Sequence, residues 1–241
     1  LTFERGWGDG IEIAGPAESS YGEDKNASKN ITLENITCDS NRRQGLSLTH
    51  CRNITITNSR FINTGLIKYT TPGYGIDIEP TSNDEYKHSV KNVYLNNCVF
   101  YGNRNAAIGI QQYSDNADYC KDVFITNCSV GGQRLALHAV KDIKVDNCHG
   151  IGVIYLFNAS QNSTNRIITN STISSIELRE NGYGYLDIDH CTLGGDAVET
   201  IVRKYSNRIQ DRISITNSNI SFLKNLTIPD VIFYNTEIRN S

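Results

Sequence analysis

Two carboxylates stand two residues apart in the segment GIDIEP, and their spacing suits acid–base chemistry. Asp77 alternates with Ile76 and Ile78, which is typical of a half-buried β-strand and places Asp77 and Glu79 on one face. Strand geometry separates the two residues by about 6 to 7 Å. This separation lies between the values of retaining and inverting glycosidases, so the pair permits glycosidic hydrolysis without deciding its stereochemistry.

The same short pattern recurs along the chain, with two aliphatic residues enclosing one outward residue. The aliphatic residues fill a core and send the residues between them to the exterior. The first exterior column is Glu12, Ser47, Asp77, Gly109, Ala136 and Glu177. The next is Ala14, Thr49, Glu79, Gln111, His138 and Arg179. Glu12, two rungs or about 10 Å from Asp77, is a third candidate catalytic carboxylate beside Asp77 and Glu79.

Basic, aromatic and amide side chains near this face are candidates for substrate binding. Arg42 and Arg104 follow asparagines in NRRQ and NRNA, and we expect both to project from the same edge. Guanidinium groups bind the carboxylates or phosphates of an acidic glycan through paired hydrogen bonds; a salt bridge to a nearby aspartate is the structural alternative. The predicted substrate-binding residues are Asp9, Arg42, Arg43, Tyr74, Arg104, Gln111 and His138.

Long insertions leave the repeat beside this face in its first four rungs. They comprise residues 14–29, 62–74, 80–91 and 112–121. Loops of this length on a rigid scaffold commonly form the walls of a groove, and their tyrosines suit stacking on sugar rings. We therefore expect a groove toward the N-terminal half of the chain.

A repeated turn sets the elements that position these residues. Nine short alternating strands run into the same turn, and eight of the turns carry an asparagine that tolerates the left-handed conformation and can form a hydrogen-bonded ladder. The asparagines are Asn35, Asn58, Asn97, Asn127, Asn147, Asn170, Asn217 and Asn235, with His190 in the remaining turn. A repeat of about 20 residues with insertions is typical of a solenoid, and the period-two alternation predicts an all-β coil of about nine to ten rungs.

The ladder and the phrases GWGDGIEIAG, NRRQGLSL, GYGIDIEP and AAIGIQQ resemble the pectin lyase-like proteins, which include phage tailspikes and bacterial polysaccharide-degrading enzymes. The resemblance covers nearly the whole chain and implies a single-stranded right-handed parallel β-helix. It also implies a polysaccharide or cell-surface glycan as substrate, an extracellular, cell-surface or virion-tail setting, and a homotrimer. The scaffold hosts many activities, so the resemblance is specific for the fold and only suggestive for the chemistry.

Composition limits the classes of partner and the number of domains. The net charge is −3 and no basic run occurs in the sequence, so nucleic acid is not an expected partner. Its apolar runs are shorter than the 20 or so residues that span a bilayer, so membrane insertion is not expected. We expect residues 1–241 to form one β-helix domain, cut from a longer chain that supplies caps or further domains at both ends.

Cysteine spacing favours buried thiols over disulfides or a metal site. Cys98, Cys128, Cys148 and Cys191 occupy the same position after the turn, where parallel side chains on neighbouring rungs do not converge for bridging. A pairing among the other three cysteines stays open at this stage. We expect no metal site and no cofactor; calcium among the loop carboxylates is conceivable but has no recognisable ligand pattern.

Two functional hypotheses follow from the sequence. The first is an enzyme that depolymerises a polysaccharide as a glycoside hydrolase or lyase in a loop-walled groove on the outer face of the coil. The second is a non-catalytic glycan-binding adhesin, or a structural shaft of a virion or cell-surface protein. Convergence of two carboxylates and an arginine would favour the enzyme, whereas a flat face with Asp77 tied to an arginine would favour the shaft.

Overall fold

The computed structural model consists of parallel β-strands joined by turns and loops. It describes residues 1–16, 25–67, 70–80, 88–110, 119–138, 140–157, 165–179, 183–194, 202–204, 210–220 and 231–238. In these residues no α-helix occurs, and hence no helix long and apolar enough to cross a membrane.

The strands are short, and each rung of the coil contributes two or three of them. In chain order they are β1 (Thr2–Glu4), β2 (Ile11–Ile13), β3 (Ser28–Glu34), β4 (Thr37–Asp39), β5 (Gln44–Leu48), β6 (Cys51–Thr57), β7 (Arg60–Ile62), β8 (Tyr74–Ile78), β9 (Val90–Asn96), β10 (Val99–Tyr101), β11 (Ala106–Ile110), β12 (Cys120–Thr126), β13 (Arg134–Leu137), β14 (Lys141–Asp146), β15 (Ile151–Phe157), β16 (Arg166–Thr169), β17 (Thr172–Arg179), β18 (Tyr183–Asp189), β19 (Thr192–Leu193), β20 (Val202–Lys204), β21 (Gln210–Thr216), β22 (Asn219–Ile220), β23 (Val231–Tyr234) and β24 (Glu237–Ile238).

These strands stack into three parallel sheets along one axis. The first sheet has the order β1-β4-β7-β10. The second runs β2-β5-β8-β11-β13-β15-β17-β19-β22-β24, with β20 also paired to β17. The third has the order β3-β6-β9-β12-β14-β16-β18-β21-β23. The architecture is a right-handed parallel β-helix, which confirms the predicted fold class.

The core is a narrow column of aliphatic side chains inside the coil. Inward residues of the third sheet stand in register from rung to rung, as Ile54, Val93 and Val123 do, and all three are fully buried. Phe61 and Phe100 stack with ring centroids 5.5 Å apart on the first sheet. Because most rungs repeat an aliphatic residue at these register positions, the buried side chains form one cluster along the described coil.

The predicted turn ladder is confirmed. All eight turn asparagines and His190 have φ between 47° and 54°, the left-handed region that asparagine tolerates. Their amides join neighbouring rungs: Asn97 Nδ2 donates to Asn58 Oδ1 at 2.7 Å, and Asn147 Nδ2 donates to Asn127 Oδ1 at 2.8 Å. Aspartates replace the acceptor further along, where Asn170 Nδ2 donates to Asp146 Oδ1 at 2.8 Å.

A second ladder, which the sequence pattern did not reveal, lies inside the strands of the third sheet. Its members have φ between 55° and 59° and interrupt the strand pairing by one residue; they are Asn30, Asn53, Asn92, Asp122, Asp142 and Asn165. Asn53 Nδ2 donates to Asn30 Oδ1, and Asn92 Nδ2 to Asn53 Oδ1, each at 2.9 Å. The interruption is a bulge repeated on successive rungs, and it turns the flanking side chains outward together.

All seven cysteines are buried free thiols. The ladder position predicted this for Cys98, Cys128, Cys148 and Cys191, and the pairing left open among the other three does not occur. The thiol of each ladder cysteine points back to its own strand, as Cys191 Sγ does toward Asp189 O at 3.3 Å. Serines in the same position make the equivalent bond, such as Ser171 Oγ to Thr169 O at 2.7 Å. Burial raises the pKa of Cys38 and of Cys51 to about 12, so these thiols are packing groups rather than nucleophiles.

Candidate functional site

The second sheet brings the predicted outward column together. Glu12 pairs with Ser47, Ser47 with Asp77, and Asp77 with Gly109 in successive registers. The column then continues through Ala136, Tyr155 and Glu177. The sequence pattern predicted Glu177 directly after Ala136, but the rung of β15 with Tyr155 lies between them. In the run IGVIYLF the outward positions are also apolar or aromatic, so the alternation that marks a strand is weak there.

Most of this column is buried, contrary to the expected exterior exposure. Asp77 has no exposed surface, and Ser47 and Ala136 expose about one per cent each. Side chains that point out of the coil here are covered by other parts of the chain. One such cover is the Tyr74 ring, which lies so close to Gly109 that a Cβ there would collide with Tyr74 Cε2.

Asp77 is held by a glutamine that the sequence analysis did not select. Gln44 is fully buried, and its Nε2 donates to Asp77 Oδ2. Its Oε1 accepts the backbone N–H of Tyr74 at 3.0 Å. Gln44 opens β5 directly across from Tyr74, so a polar residue at the start of an otherwise apolar strand was the available signal.

Arg43 draws two further carboxylates to the same place. Its Nη1 lies 3.5 Å from Asp9 Oδ2, and its Nη2 lies 3.4 Å from Glu79 Oε2. Ser47 Oγ donates to Asp9 Oδ2 at 2.7 Å. The Asp9 side chain is only 8% exposed and that of Glu79 16%, whereas Arg43 is 41% exposed. We call Asp9, Arg43, Ser47, Asp77 and Glu79 the carboxylate cluster.

One oxygen of the cluster has an unmet hydrogen-bonding capacity. Asp9 Oδ1 is buried and accepts no hydrogen bond from the described part of the chain. Buried polar atoms normally have a partner, from protein or water. A water molecule or a substrate hydroxyl group is the kind of donor that satisfies such an oxygen.

The other predicted site residues lie at different distances from the cluster. Glu12 is exposed on the end rung, level with Ser47. Arg104 is exposed two rungs from Arg42, and the preceding asparagines hold the two turns alike: Asn41 Nδ2 donates to Phe3 O at 3.1 Å and Asn103 Nδ2 to Phe61 O at 2.9 Å. The two turns therefore have the same asparagine hydrogen bond to the preceding rung. Gln111 lies outside the described residues, as do nearly half of the residues of the predicted groove walls.

Arg42 does not bind a carboxylate of the cluster but stacks on an aromatic ring. Its guanidinium lies 5.4 Å from the centroid of Trp7, a residue that the sequence analysis did not select and that is 77% exposed. Both side chains line a shallow cavity of about 190 Å³ together with Arg5, Ser40 and Ile67. An exposed tryptophan and a guanidinium beside a cavity make this place a candidate for ligand binding.

His138 belongs to a separate group two rungs beyond Glu79. Its ring meets the edge of Tyr155, with centroids 5.8 Å apart and an interplanar angle of 78°. Arg134 covers the same tyrosine, with its guanidinium 4.6 Å from the ring centroid. The structure therefore does not bring His138 into contact with the catalytic candidates. No group of three or more His, Cys, Asp or Glu side chains in the described residues is arranged to hold a metal ion.

Comparisons with known proteins agree with this architecture. No curated protein matched the chain. Residues 25–130 match a family model described as a right handed beta helix region. This stretch contains β3 to β12, including most of the carboxylate cluster and the first turns of both ladders. Over these residues the chain is similar to the right-handed β-helix family.

Proposed function

We propose that the protein is a polysaccharide-processing β-helix, a glycoside hydrolase that acts at the carboxylate cluster. The observation that carries the proposal is the position of Arg43 between Asp9 and Glu79. Two carboxylates held beside one guanidinium, with a third at Asp77, meet the criterion of converging acid and base candidates.

The separation of the two carboxylates suits hydrolysis. Because Asp9 and Glu79 contact two nitrogens of one rigid guanidinium, their contacting oxygens lie no more than about 9 Å apart. This limit admits both retaining and inverting carboxylate pairs. Arg43 already contacts two carboxylates, so it is poorly placed to neutralise a uronate as well, and this favours hydrolysis over elimination.

The two carboxylates have different surroundings that suit different roles. Asp9 is oriented by Ser47 and Arg43 and keeps Oδ1 without a protein donor, so we assign it the role of base or nucleophile. Glu79 is the more exposed of the two and is assigned the role of general acid. Asp77 has no exposed surface and is a positioning residue, with Gln44 as its partner.

Trp7 and Arg42 extend this site along the rung. A sugar ring stacks on an aromatic face, and a guanidinium beside it donates hydrogen bonds to hydroxyl or carboxylate groups. Their cavity adjoins the N-terminal rung that carries Asp9. We therefore propose that it binds a sugar unit next to the one that is cleaved, on a glycan at a cell surface or recognised by a virion tail. A homotrimer is part of this proposal by resemblance to tailspikes.

A non-catalytic glycan-binding protein is the second candidate function. The complete burial of Asp77 and the ion pairs of Arg43 favour it, since structural clusters also satisfy their charges internally. In that case the Trp7 cavity binds sugar and the carboxylate cluster only stabilises the first rungs.

Product release from a panel of bacterial capsular, teichoic and plant acidic polysaccharides separates these functions. Reducing ends and the absorbance of unsaturated uronate are measured for wild type, Glu79→Gln and Asp9→Asn. We expect reducing ends without the absorbance, and a loss of about 10²- to 10⁴-fold in each variant. Asp187→Asn, which changes an exposed carboxylate on a distant rung, is the matched control and keeps wild-type activity.

Two results would contradict the hydrolase. Absorbance of unsaturated uronate identifies a lyase instead. Absence of product from every glycan, with sugar binding that Trp7→Ala abolishes, supports the non-catalytic function. Thermal unfolding of each variant confirms that the chain is folded in every case.

A further inference from the structure

A row of basic side chains lies on the third sheet, away from the carboxylate cluster. Five consecutive rungs place a lysine or arginine at the same register position, directly before the bulge. This basic column consists of Lys29, Arg52, Lys91, Lys121 and Lys141. All five are exposed or half-buried. At about 4.8 Å per rung the column is about 19 Å long.

Stacking like charges in register is unfavourable for the fold alone. Like charges directly opposite on neighbouring strands destabilise a sheet, and a solvated strand face needs no basic residue at every rung. The second ladder fixes this arrangement, because Asn53 and Asn92 are hydrogen-bonded to each other and each follows a basic residue. The repeated bulge thus holds the five cations at a constant spacing.

The column borders a depression and an aromatic stack. The depression has a volume of about 430 Å³ and is lined by Arg52, Asn53, Lys91, Asn92, Lys121 and Asp122. Tyr94 and Phe124 follow two of these bulges on the same outer face, and their rings stack 5.0 Å apart at an interplanar angle of 5°. Tyr94 is 44% exposed. Cations, amides and an aromatic face therefore share one strip of surface.

We propose that the basic column is a binding surface for a linear acidic polysaccharide that runs along the axis of the coil. A polymer with one anionic group per sugar unit presents charges in a regular row, as the column presents cations. The amides of Asn53 and Asn92 and the carboxylate of Asp122 match sugar hydroxyl groups, which both donate and accept hydrogen bonds. A deoxyribose-phosphate backbone has no hydroxyl donor for Asp122, so the strip fits a glycan better than single-stranded DNA.

This surface does not depend on the hydrolase proposal. The column lies on the third sheet, whereas the carboxylate cluster is built on and around the second. Binding along the column would hold a polymer on the coil whether or not the protein cleaves it.

Binding of polygalacturonate tests the proposal, with neutral dextran and a single-stranded oligothymidylate as comparison probes. Affinity is measured by fluorescence titration at several NaCl concentrations, in a Glu79→Gln background that prevents cleavage. We expect polygalacturonate to bind more tightly than either comparison probe and to weaken as NaCl rises. Lys91→Gln combined with Lys121→Gln should weaken binding by about tenfold or more, whereas Arg60→Gln, which removes one cation from the first sheet, should change it less than about twofold.

Three outcomes would overturn the proposal: equal affinity of the double variant and its parent, equal affinity for dextran, or tighter binding of the oligothymidylate. The product-release assay is independent of this result. Binding of polygalacturonate without product in the release assay supports the basic column as a binding surface and contradicts only the hydrolase.

Discussion

Two outward faces of the same coil use their charges in opposite ways. On the second sheet, Arg43 is paired with Asp9 and Glu79, and Asp77 is completely buried. On the third sheet, cations of one sign follow each other from rung to rung and stay accessible to solvent. The first face pairs its charges among its own side chains, whereas the second places cations of the same sign at five successive register positions.

Rung stacking explains why the two faces suit different ligands. A β-helix repeats each register position at about 4.8 Å. A column of similar residues therefore presents a periodic surface, whereas a column of different residues presents an arrangement of side chains that occurs only once. The second-sheet column changes from Ser47 to Asp77 to Gly109 within three rungs. The basic column repeats one chemistry over five. An arrangement that occurs once suits the cleavage of one bond, and a periodic surface suits the binding of a polymer.

The largest effect should come from removing the arginine that pairs the carboxylates. Arg43→Met leaves Asp9 and Glu79, both largely buried, without their cation. Removing one partner of a buried pair is strongly destabilising, and the partial exposure of Arg43 reduces the effect, so we expect a loss of about 1–3 kcal/mol in the free energy of unfolding. Urea denaturation measures it.

Arg60→Met is the matched control for this change. Arg60 is exposed on the first sheet and rests 5.9 Å from the ring of Tyr101. We expect a change within about 0.5 kcal/mol there. Similar losses in both variants would show that the carboxylate cluster gains nothing from Arg43.

A second, smaller effect tests how tightly the second-sheet face is covered. In Gly109→Ala the new Cβ would meet the Tyr74 ring, so the ring must move or the strand must shift. Overpacking of this kind costs about 1–3 kcal/mol, and an alanine in a strand recovers part of it. We expect a net loss of about 1 kcal/mol in urea denaturation.

Tyr74→Ala provides the matching test, because it removes the ring that Gly109 accommodates. In the double variant the alanine at 109 should no longer destabilise, which gives a coupling energy of about 1 kcal/mol in a double-mutant cycle. Additive losses would mean that Tyr74 does not cover Gly109 in solution.

The repeating parts of the molecule could be predicted from the sequence, and the parts made once could not. The turn asparagines and the core positions recur on each rung, so alternation and spacing identify them. Arg166 shows the limit: it is in register with Ile143 and Leu186 at a core position and is fully buried, which no pattern suggests. The site has the same limit, because the pairing of Asp9 with Arg43 depends on how separate rungs meet.

The basic column could not be predicted from the sequence for a different reason. Its five members are spread from residue 29 to residue 141, so no local run of charge reveals them. Insertions of different length separate the rungs, and register becomes visible only when the strands pair. Net charge does not reveal the column either, since a local row of cations can exist on a chain of net charge −3.

Acid should weaken the turn ladder that closes the strands of the third sheet. The hydrogen bond from Thr216 is the main cause that lowers the pKa of Asp189 to about 2, with Asn217 and His190 contributing. A carboxyl whose folded pKa lies below its unfolded value of about 3.9 stabilises above that value and loses this contribution as pH falls toward 2. Asp189→Asn should therefore cost about 1 kcal/mol at pH 7, with a smaller difference at pH 3.

Urea midpoints at pH 7, 4 and 3 measure this dependence. Asp187→Asn, which changes an exposed carboxylate two residues earlier on the same strand, is the control and should show no such trend. A difference between wild type and Asp189→Asn that stays constant over this pH range would mean that the ladder does not depend on the charge of Asp189.

The smallest effect distinguishes a column kept for binding from one kept for the fold. Lys121 lies between Lys91 and Lys141 in register, so Lys121→Gln removes repulsion from both neighbours. We expect the free energy of unfolding to rise by a few tenths of a kcal/mol at low ionic strength. The gain should disappear near 1 M NaCl, where the screening length falls to about 3 Å. A clear loss of stability at low salt would mean that Lys121 contributes to the fold, and the basic column would then need no ligand to explain it.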